Sequence, residues 1–173
     1  MKLIYFLQTV KNVPLNYNFS LYVYGPYDPE VLDDLAYAQS LGALDVRVES
    51  YKSGGYGFEI QPGPAKVHFK ALAKEFLDKH RDHIDWVLRE FGEYSPARLE
   101  LASTMVFIDR EAVRSGERLR RDDLVRRVLE IKPRFSLTAG YEQARELEER
   151  HLLSSIVPPQ GGSSPMDGLT AAS

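Results

Sequence analysis

Two histidines one helical turn apart, His80 and His83, stand among Asp78, Asp82 and Asp85. Imidazole with carboxylate is a ligand set for zinc, and helical spacing is one way to assemble it. Neighbouring residues on a helix splay around its axis, however, and no second cluster elsewhere completes a set. The stretch is therefore expected to be polar and exposed, with no metal. Ser53 and the pair Ser103-Thr104 lack the glycines of a nucleophile elbow. Gly54-Gly55-x-Gly57 has no helix after it, so it is not a phosphate loop. Glu90, Glu93 and Glu100 form no acid–base pair, because nothing in the sequence suggests a desolvated pocket that would drive their pKa values apart. There are no cysteines, which excludes disulfides and cysteine-based zinc sites. The residues together predict no catalytic centre and no cofactor; the chain reads as non-enzymatic.

Charge is more informative. The chain of 173 residues has a net charge of −3, unevenly spread. Residues 1–63 hold 4 basic and 7 acidic side chains, and residues 64–95 balance at 6 and 6. Residues 96–135 hold 10 basic and 7 acidic ones, and residues 136–173 hold 2 and 5. Any anion-binding face belongs to the third stretch, where Arg110, Arg114, Arg118, Arg120, Arg121, Arg126, Arg127, Lys132 and Arg134 cluster. Nucleic acid or an acidic protein is the ligand such a patch would take. The competing reading is a solvated face, because Asp109, Glu111, Glu117, Asp122, Asp123 and Glu130 offer partners along the same helices.

The elements that must position these residues begin with Lys2–Lys11, where Leu3, Phe6, Leu7 and Val10 fall at helical spacing. The chain opens inside an apolar stripe, so an upstream helix is expected to be missing; an uncovered stripe would drive self-association. Pro14 ends this helix. Tyr17–Tyr24 reads as a strand or extended segment, and Gly25-Pro26 as a turn. Asp28 is a suitable N-cap, with Pro29 at the first helical position and Glu30 favourable at the positive helix end. Val31, Leu32, Leu35, Ala38 and Leu41 form the stripe of that helix, and Gly42 closes it.

Asp45–Gln61 predicts a hairpin, with Val46 and Val48 pointing one way on the first arm, Tyr56, Phe58 and Ile60 pointing one way on the second, and a flexible turn at Tyr51–Gly55. Pro62-Gly63-Pro64 punctuates. Ala65–Glu90 reads as one long helix, bending or fraying in the polar middle, Asp78–Asp85, with Trp86 in a core or an interface. Gly92 stops it. Ser95 and Pro96 open the next helix, which Gly116 interrupts. Asp122 or Asp123 caps a short helix that runs to Ile131, where Lys132-Pro133 ends it. Ser136 or Thr138 opens a final helix to about Leu153. Beyond Ser154, Pro, Gly, Ser and Ala predict a disordered tail.

The predicted fold class is mainly α (α+β). Residues 1–63 form a winged-helix-like unit with the hairpin as its wing, residues 64–153 form a helical region packed on it, and residues 154–173 form the tail. The first ten residues are too short to span a membrane, which takes ~20 apolar residues, and they lack a secretory cleavage site. A cytoplasmic protein with no membrane partner is expected.

Several motifs resemble one family. Leu3–Gln8 is similar to the "KLIYFLQ" helix of YwgA-like bacterial proteins, and Tyr24–Tyr27 to their "YGPY" turn. Leu41–Leu44 resembles their Leu-Gly-Ala-Leu stop, Tyr94–Thr104 their Leu-Glu-Leu helix, and Lys132–Ser136 their turn before a last helix. The match covers about residues 1–153. More distantly, the order of elements is similar to the Panacea domain of bacterial antitoxins, whose SocA-like type acts as an adaptor delivering a toxin to a protease. The resemblance implies a regulatory or adaptor-like protein. The upstream helix of the family, with a basic pair before "KLIY", has no counterpart here.

In a winged domain the helix Pro29–Leu41 occupies the place of a recognition helix. A reader of DNA presents Arg, Lys, Asn or Gln there. This helix presents Glu30, Asp33 and Asp34, and phosphates are repelled by carboxylates. The wing adds only Arg47 and Lys52. The expected partner is therefore a protein, held through Tyr24, Tyr27, Glu30, Asp33 and Asp34. The alternative is a winged-helix transcriptional regulator that contacts nucleic acid through Arg110–Arg127. Self-association is a further expectation.

Overall fold

The computed structural model describes residues 1–50 and 56–157. Its elements run α1 (Lys2–Thr9), β1 (Ser20–Tyr22), β2 (Gly25–Tyr27), α2 (Glu30–Ser40), β3 (Leu44–Ser50), β4 (Tyr56–Pro62), α3 (Lys66–Leu72), α4 (Lys74–Phe91), α5 (Pro96–Arg114), α6 (Arg121–Ile131) and α7 (Leu137–Glu149). The protein is thus mainly α with two small antiparallel hairpins, β1–β2 and β3–β4. No helix among the described residues is long and apolar enough to cross a membrane. The chain divides into two compact units, residues 1–107 and 108–173. The division expected at residue 63 does not coincide with this one, since residues 64–107 group with the first unit.

In the first unit, Phe6 of α1 stacks on Phe91 of α4 with ring centroids 4.0 Å apart, and both are fully buried. Tyr5 is buried beside it against Phe19 and Phe107. Of the α1 stripe, Phe6 is thus covered by this unit's own residues, while Leu3, Leu7 and Val10 are half-buried. Gln8 anchors the loop between α1 and β1: its amide nitrogen donates to the Tyr17 carbonyl at 2.8 Å, and its oxygen accepts from the Tyr17 N–H at 3.0 Å. Lys11 lies over the Trp86 ring at 3.8 Å, a cation–π contact that ties the end of α1 to α4.

Gly25-Pro26 is not the turn that its residue types suggested. The turn is Val23-Tyr24, and Gly25–Tyr27 is strand β2, paired Ser20↔Tyr27, Leu21↔Pro26 and Tyr22↔Gly25. Gly25 is needed on two counts: its φ is +94°, and a Cβ there would meet Ser103 Oγ at 3.2 Å. A side chain there would be strained at that φ and would make Ser103 yield by a few tenths of an ångström. The buried carboxylate of Asp28 accepts from the Glu30 N–H at 3.0 Å and from the Asn18 N–H, so one side chain starts α2 and holds the preceding loop. Gly42, with φ +71°, ends α2 in the left-handed conformation that glycine tolerates.

The β3–β4 pairing follows the predicted alternation, with Val46↔Ile60 and Val48↔Phe58 opposed; the turn expected at Tyr51–Gly55, with Ser53 and the Gly54-Gly55 pair, lies outside the described residues. The long helix is interrupted at Ala73, dividing α3 from α4. The polar middle, Asp78–Asp85, is continuous helix instead. Ser95 caps α5 by accepting from the Arg98 N–H at 3.2 Å.

In the second unit, Gly140 brings α7 close to α6: a Cβ there would meet Val125 Cγ1 at 3.0 Å. Leu124, Val125, Val128, Ala144 and Leu147 are fully buried around this contact. Ser136 caps α7, accepting from the Ala139 N–H at 3.1 Å. Neither Asp122 nor Asp123 caps α6. Arg120 holds the cap position without a side-chain bond, and both carboxylates fall in the first turn, where they oppose the helix dipole favourably. Residues 154–157 are docked rather than disordered: Leu119 and Ile156 form a parallel bridge, with Leu119 N–H to Ser155 O and Val157 N–H to Leu119 O both at 3.0 Å. Residues 158–173 lie outside the described residues.

Candidate functional site

The acidic helix α2 offers its charge to solvent. Glu30, Asp33 and Asp34 are exposed, and Val31 is the buried residue of the helix. Asp34 accepts from the Tyr17 hydroxyl at 2.6 Å. Burial, that hydrogen bond and the nearby Asp34, Glu30 and Asp28 charges together push the Tyr17 phenol well above its ordinary value. Glu30 and Asp33 make no ion pair with any described residue. Tyr24 lies exposed at the β1–β2 turn beside exposed Tyr22 and Val23, and Tyr27 is half-buried with its ring 5.5 Å from Tyr22. The structure thus gathers Asp28, Glu30 and Asp34 around Tyr17 and places Tyr24 at a hairpin tip.

A second surface comes directly after α2 in the chain. Val48, Phe58 and Ile60 of the β3–β4 ladder are 66%, 56% and 50% exposed. Arg47, the described cation of this hairpin, is held at 2.9 Å by Asp45 of its own strand; Lys52 lies outside the described residues. Helix α3 buries none of its side chains; Val67 is 71% and Leu72 69% exposed. Beside it runs an apolar groove of about 560 Å³ lined by Ala43, Leu44, Phe69, Ala73 and Leu77, with Lys66 and Lys70 also on its wall. Neither lysine side chain makes a hydrogen bond or ion pair with a described residue. Sequence reasoning missed both lysines. The available signal was the run from Ile60 to Lys74, which has no acidic residue to neutralise them.

The arginine cluster behaves oppositely. Arg121 grips Glu148 through two bonds of 2.7 and 2.6 Å, and Arg127 grips Glu117 through both carboxylate oxygens. Arg120 and Arg126 share Asp123 at 3.1 and 2.8 Å. Arg114 pairs with Glu111, and Arg110 with Asp109. Arg118 donates to the Ser154 carbonyl at 3.0 Å, and Arg134 lies over Phe135 at 5.0 Å. Lys132 is buried. The bond from Arg127 holds the Glu117 carboxyl below its ordinary value, and the bond from Arg120 does the same for Asp123. Asp109 is fully buried and accepts from Ser154 N–H, Ser155 N–H at 2.8 Å and Ser155 Oγ at 2.7 Å. Such a carboxylate, with its donors all supplied locally, is a structural clamp.

The histidine set does not converge. Asp78 is taken by Lys74 and by Arg81 at 2.8 Å, which hold its carboxyl below the ordinary value. His80 is buried, not exposed as the sequence suggested, with its ring 4.6 Å from Phe76. Burial, then the Lys79 and His83 charges, lower its pKa. Among the described residues no group of three or more potential ligands could hold a metal ion. Ser103, Thr104 and Glu100 are buried where β2 meets α5, with Ser103 Oγ donating to the Glu100 carbonyl at 3.2 Å. No family model matches the chain, and neither a curated protein nor a solved structure matches it.

Proposed function

We propose that this chain is a non-enzymatic, regulatory protein-interaction module of the adaptor-like kind. It holds a basic partner protein through the surface formed by Tyr24, Tyr27, Glu30, Asp33 and Asp34. The observation that carries this reading is the exposed first turn of α2, where Glu30 and Asp33 have no cation among the described residues to neutralise them. Unpaired exposed carboxylates beside aromatic side chains favour a protein with Lys or Arg at its surface, because aromatic residues supply apolar contact area and opposite charge steers the encounter. The resemblance of residues 1–153 to YwgA-like proteins, and more distantly to antitoxin adaptors, supports the same reading. The order α1, α2, β3–β4 is read as winged-helix-like, with α2 turned to protein rather than to DNA.

The test is affinity capture from cells that make the protein. Wild type and an Arg120→Glu/Arg126→Glu variant are expected to retain the same basic partner, and Glu30→Lys/Asp33→Lys is expected to lose it. Retention by the α2 variant, with loss from the arginine variant, would turn the reading over to the arginine patch and the DNA-binding alternative.

A further inference from the structure

We infer that a second copy of this chain docks on the α3 groove, each copy laying its acidic helix α2 along the lysines of the other. The inference shares α2 with the function proposed above, so pairing of copies would cover the surface the partner uses. Four observations support it. First, α2 carries Glu30, Asp33 and Asp34 and no basic residue, while α3 carries Lys66 and Lys70 and no acidic one. Second, Glu30, Asp33, Lys66 and Lys70 make no ion pair within the described part of their own chain, so these two exposed helices are charged, complementary and unneutralised. Third, the apolar parts match: Tyr37, one turn beyond Asp33, is exposed on α2, and the 560 Å³ groove beside Lys66 and Lys70 is lined by Ala43, Leu44 and Phe69. An aromatic side chain entering an apolar pocket within a ring of charge is the usual anatomy of an interface anchor.

Fourth, the two surfaces adjoin. The Ala65 N–H donates to the Gly42 carbonyl at 2.9 Å, and the Gly63 N–H to the Ala43 carbonyl at the same length, so the end of α2 meets the start of α3. Gly63 allows this contact, since a Cβ there would stand 2.2 Å from Gly42 O. Adjoining complementary surfaces let one twofold axis satisfy both at once: α2 of the first copy meets α3 of the second, and the reverse. Such an isologous contact closes as a dimer instead of growing into a filament. Ionic contacts of this kind at a partly exposed rim are screened when the Debye length falls to ~3 Å in 1 M salt.

The experiment is sedimentation equilibrium of the purified full chain, with no partner present. Wild type is expected at twice 19.7 kDa, with dissociation strengthened at least ~tenfold towards monomer in 1 M NaCl. Lys66→Glu/Lys70→Glu and Glu30→Lys/Asp33→Lys are each expected to sediment as monomers of unchanged helicity, and an equimolar mixture of the two to regain the doubled mass. A wild-type monomer at ~0.1 mM, well above the ~µM range of specific association, would overturn the inference. So would a dimer indifferent to both variants, or two monomeric variants that do not combine. Should either reversed chain fail to fold, Tyr37→Ala and the salt series test the same contact. Lys66→Glu/Lys70→Glu also separates this inference from the function proposed above, because it opens the dimer and leaves α2 available to capture a partner.

Discussion

Lys66 and Lys70 of α3 extend side chains that bond no described residue, whereas Arg120, Arg121, Arg126 and Arg127 each hold a carboxylate from their own unit. By count the arginine stretch is the obvious anion-binding face, and by geometry it is the less available one. A phosphate arriving there would have to displace Glu117, Asp123 or Glu148, and binding would gain only the difference between two similar contacts. The lysines and the α2 carboxylates at Glu30 and Asp33 have no such prior contact to give up. Net charge therefore locates potential partners poorly when neutralisation is local, and unpaired charge beside exposed apolar side chains locates them better.

The contrast between bound and unbound charge can be probed at several positions. The largest effect is expected at Asp109. Asp109→Ala strips the acceptor from two backbone amides and a serine hydroxyl and leaves Arg110 without its carboxylate, which should cost ~3–5 kcal/mol in urea unfolding. A cost below ~1 kcal/mol, the range of an exposed ion pair, would show that the clamp is dispensable. Gly25→Ala comes next. Its positive φ and its closeness to Ser103 should cost ~1–3 kcal/mol, measured in the same way. Arg121→Ala and Arg127→Ala should each lose ~1 kcal/mol or less, since both pairs are partly exposed. Lys66→Ala and Lys70→Ala should shift the stability of the monomer by no more than ~0.5 kcal/mol.

Acidification examines the same difference in another way. Glu117 and Asp123 titrate below their ordinary values of 4.5 and 3.8 in the folded protein. The stability they contribute is fully present above those values and is lost as pH falls through the lower folded ones. His80 also has a depressed folded pKa, below 6.5. Its contribution is present above 6.5 and declines as pH drops from there toward the folded value. Stability, read from unfolding followed by fluorescence between pH ~7 and ~3, should therefore fall in two stages, the first absent in His80→Phe and the second reduced in Glu117→Gln.

Local signals in the sequence located much of the fold. Pro29, Gly42, Ser95-Pro96, Gly116 and Ser136 each bound a helix where their backbone chemistry says they should, and the period-2 pattern of Val46, Val48, Phe58 and Ile60 predicted the two arms of the β3–β4 hairpin, whose register the structure supplies. The failures share a cause, which is dependence on three-dimensional neighbours. Nothing in Lys70–Phe76, all tolerable in a helix, announces the break at Ala73. Gly25 reads locally as a turn glycine, yet its closest constraint is Ser103 on α5. Asp109 reads as one acid in a mixed charge run, and its donors arrive from Ser154 and Ser155, in a stretch whose composition suggested disorder. His80 reads as exposed because its neighbours are charged, and Phe76 covers it from one turn away. Of the candidate site, the acidity of α2 was legible, but the unpaired state of Lys66 and Lys70 was not, because pairing is decided by which carboxylates lie nearby in space.

If recognition runs through the unpaired carboxylates of α2, it takes protein and not nucleic acid. The decisive measurement is a titration of a fluorescent duplex of ~20 base pairs with the full chain at ~50 mM salt, where electrostatic binding is strong. No saturable binding is expected. Saturable binding that disappears in Arg118→Glu/Arg126→Glu, and persists in Lys66→Glu/Lys70→Glu, would contradict the assignment to protein.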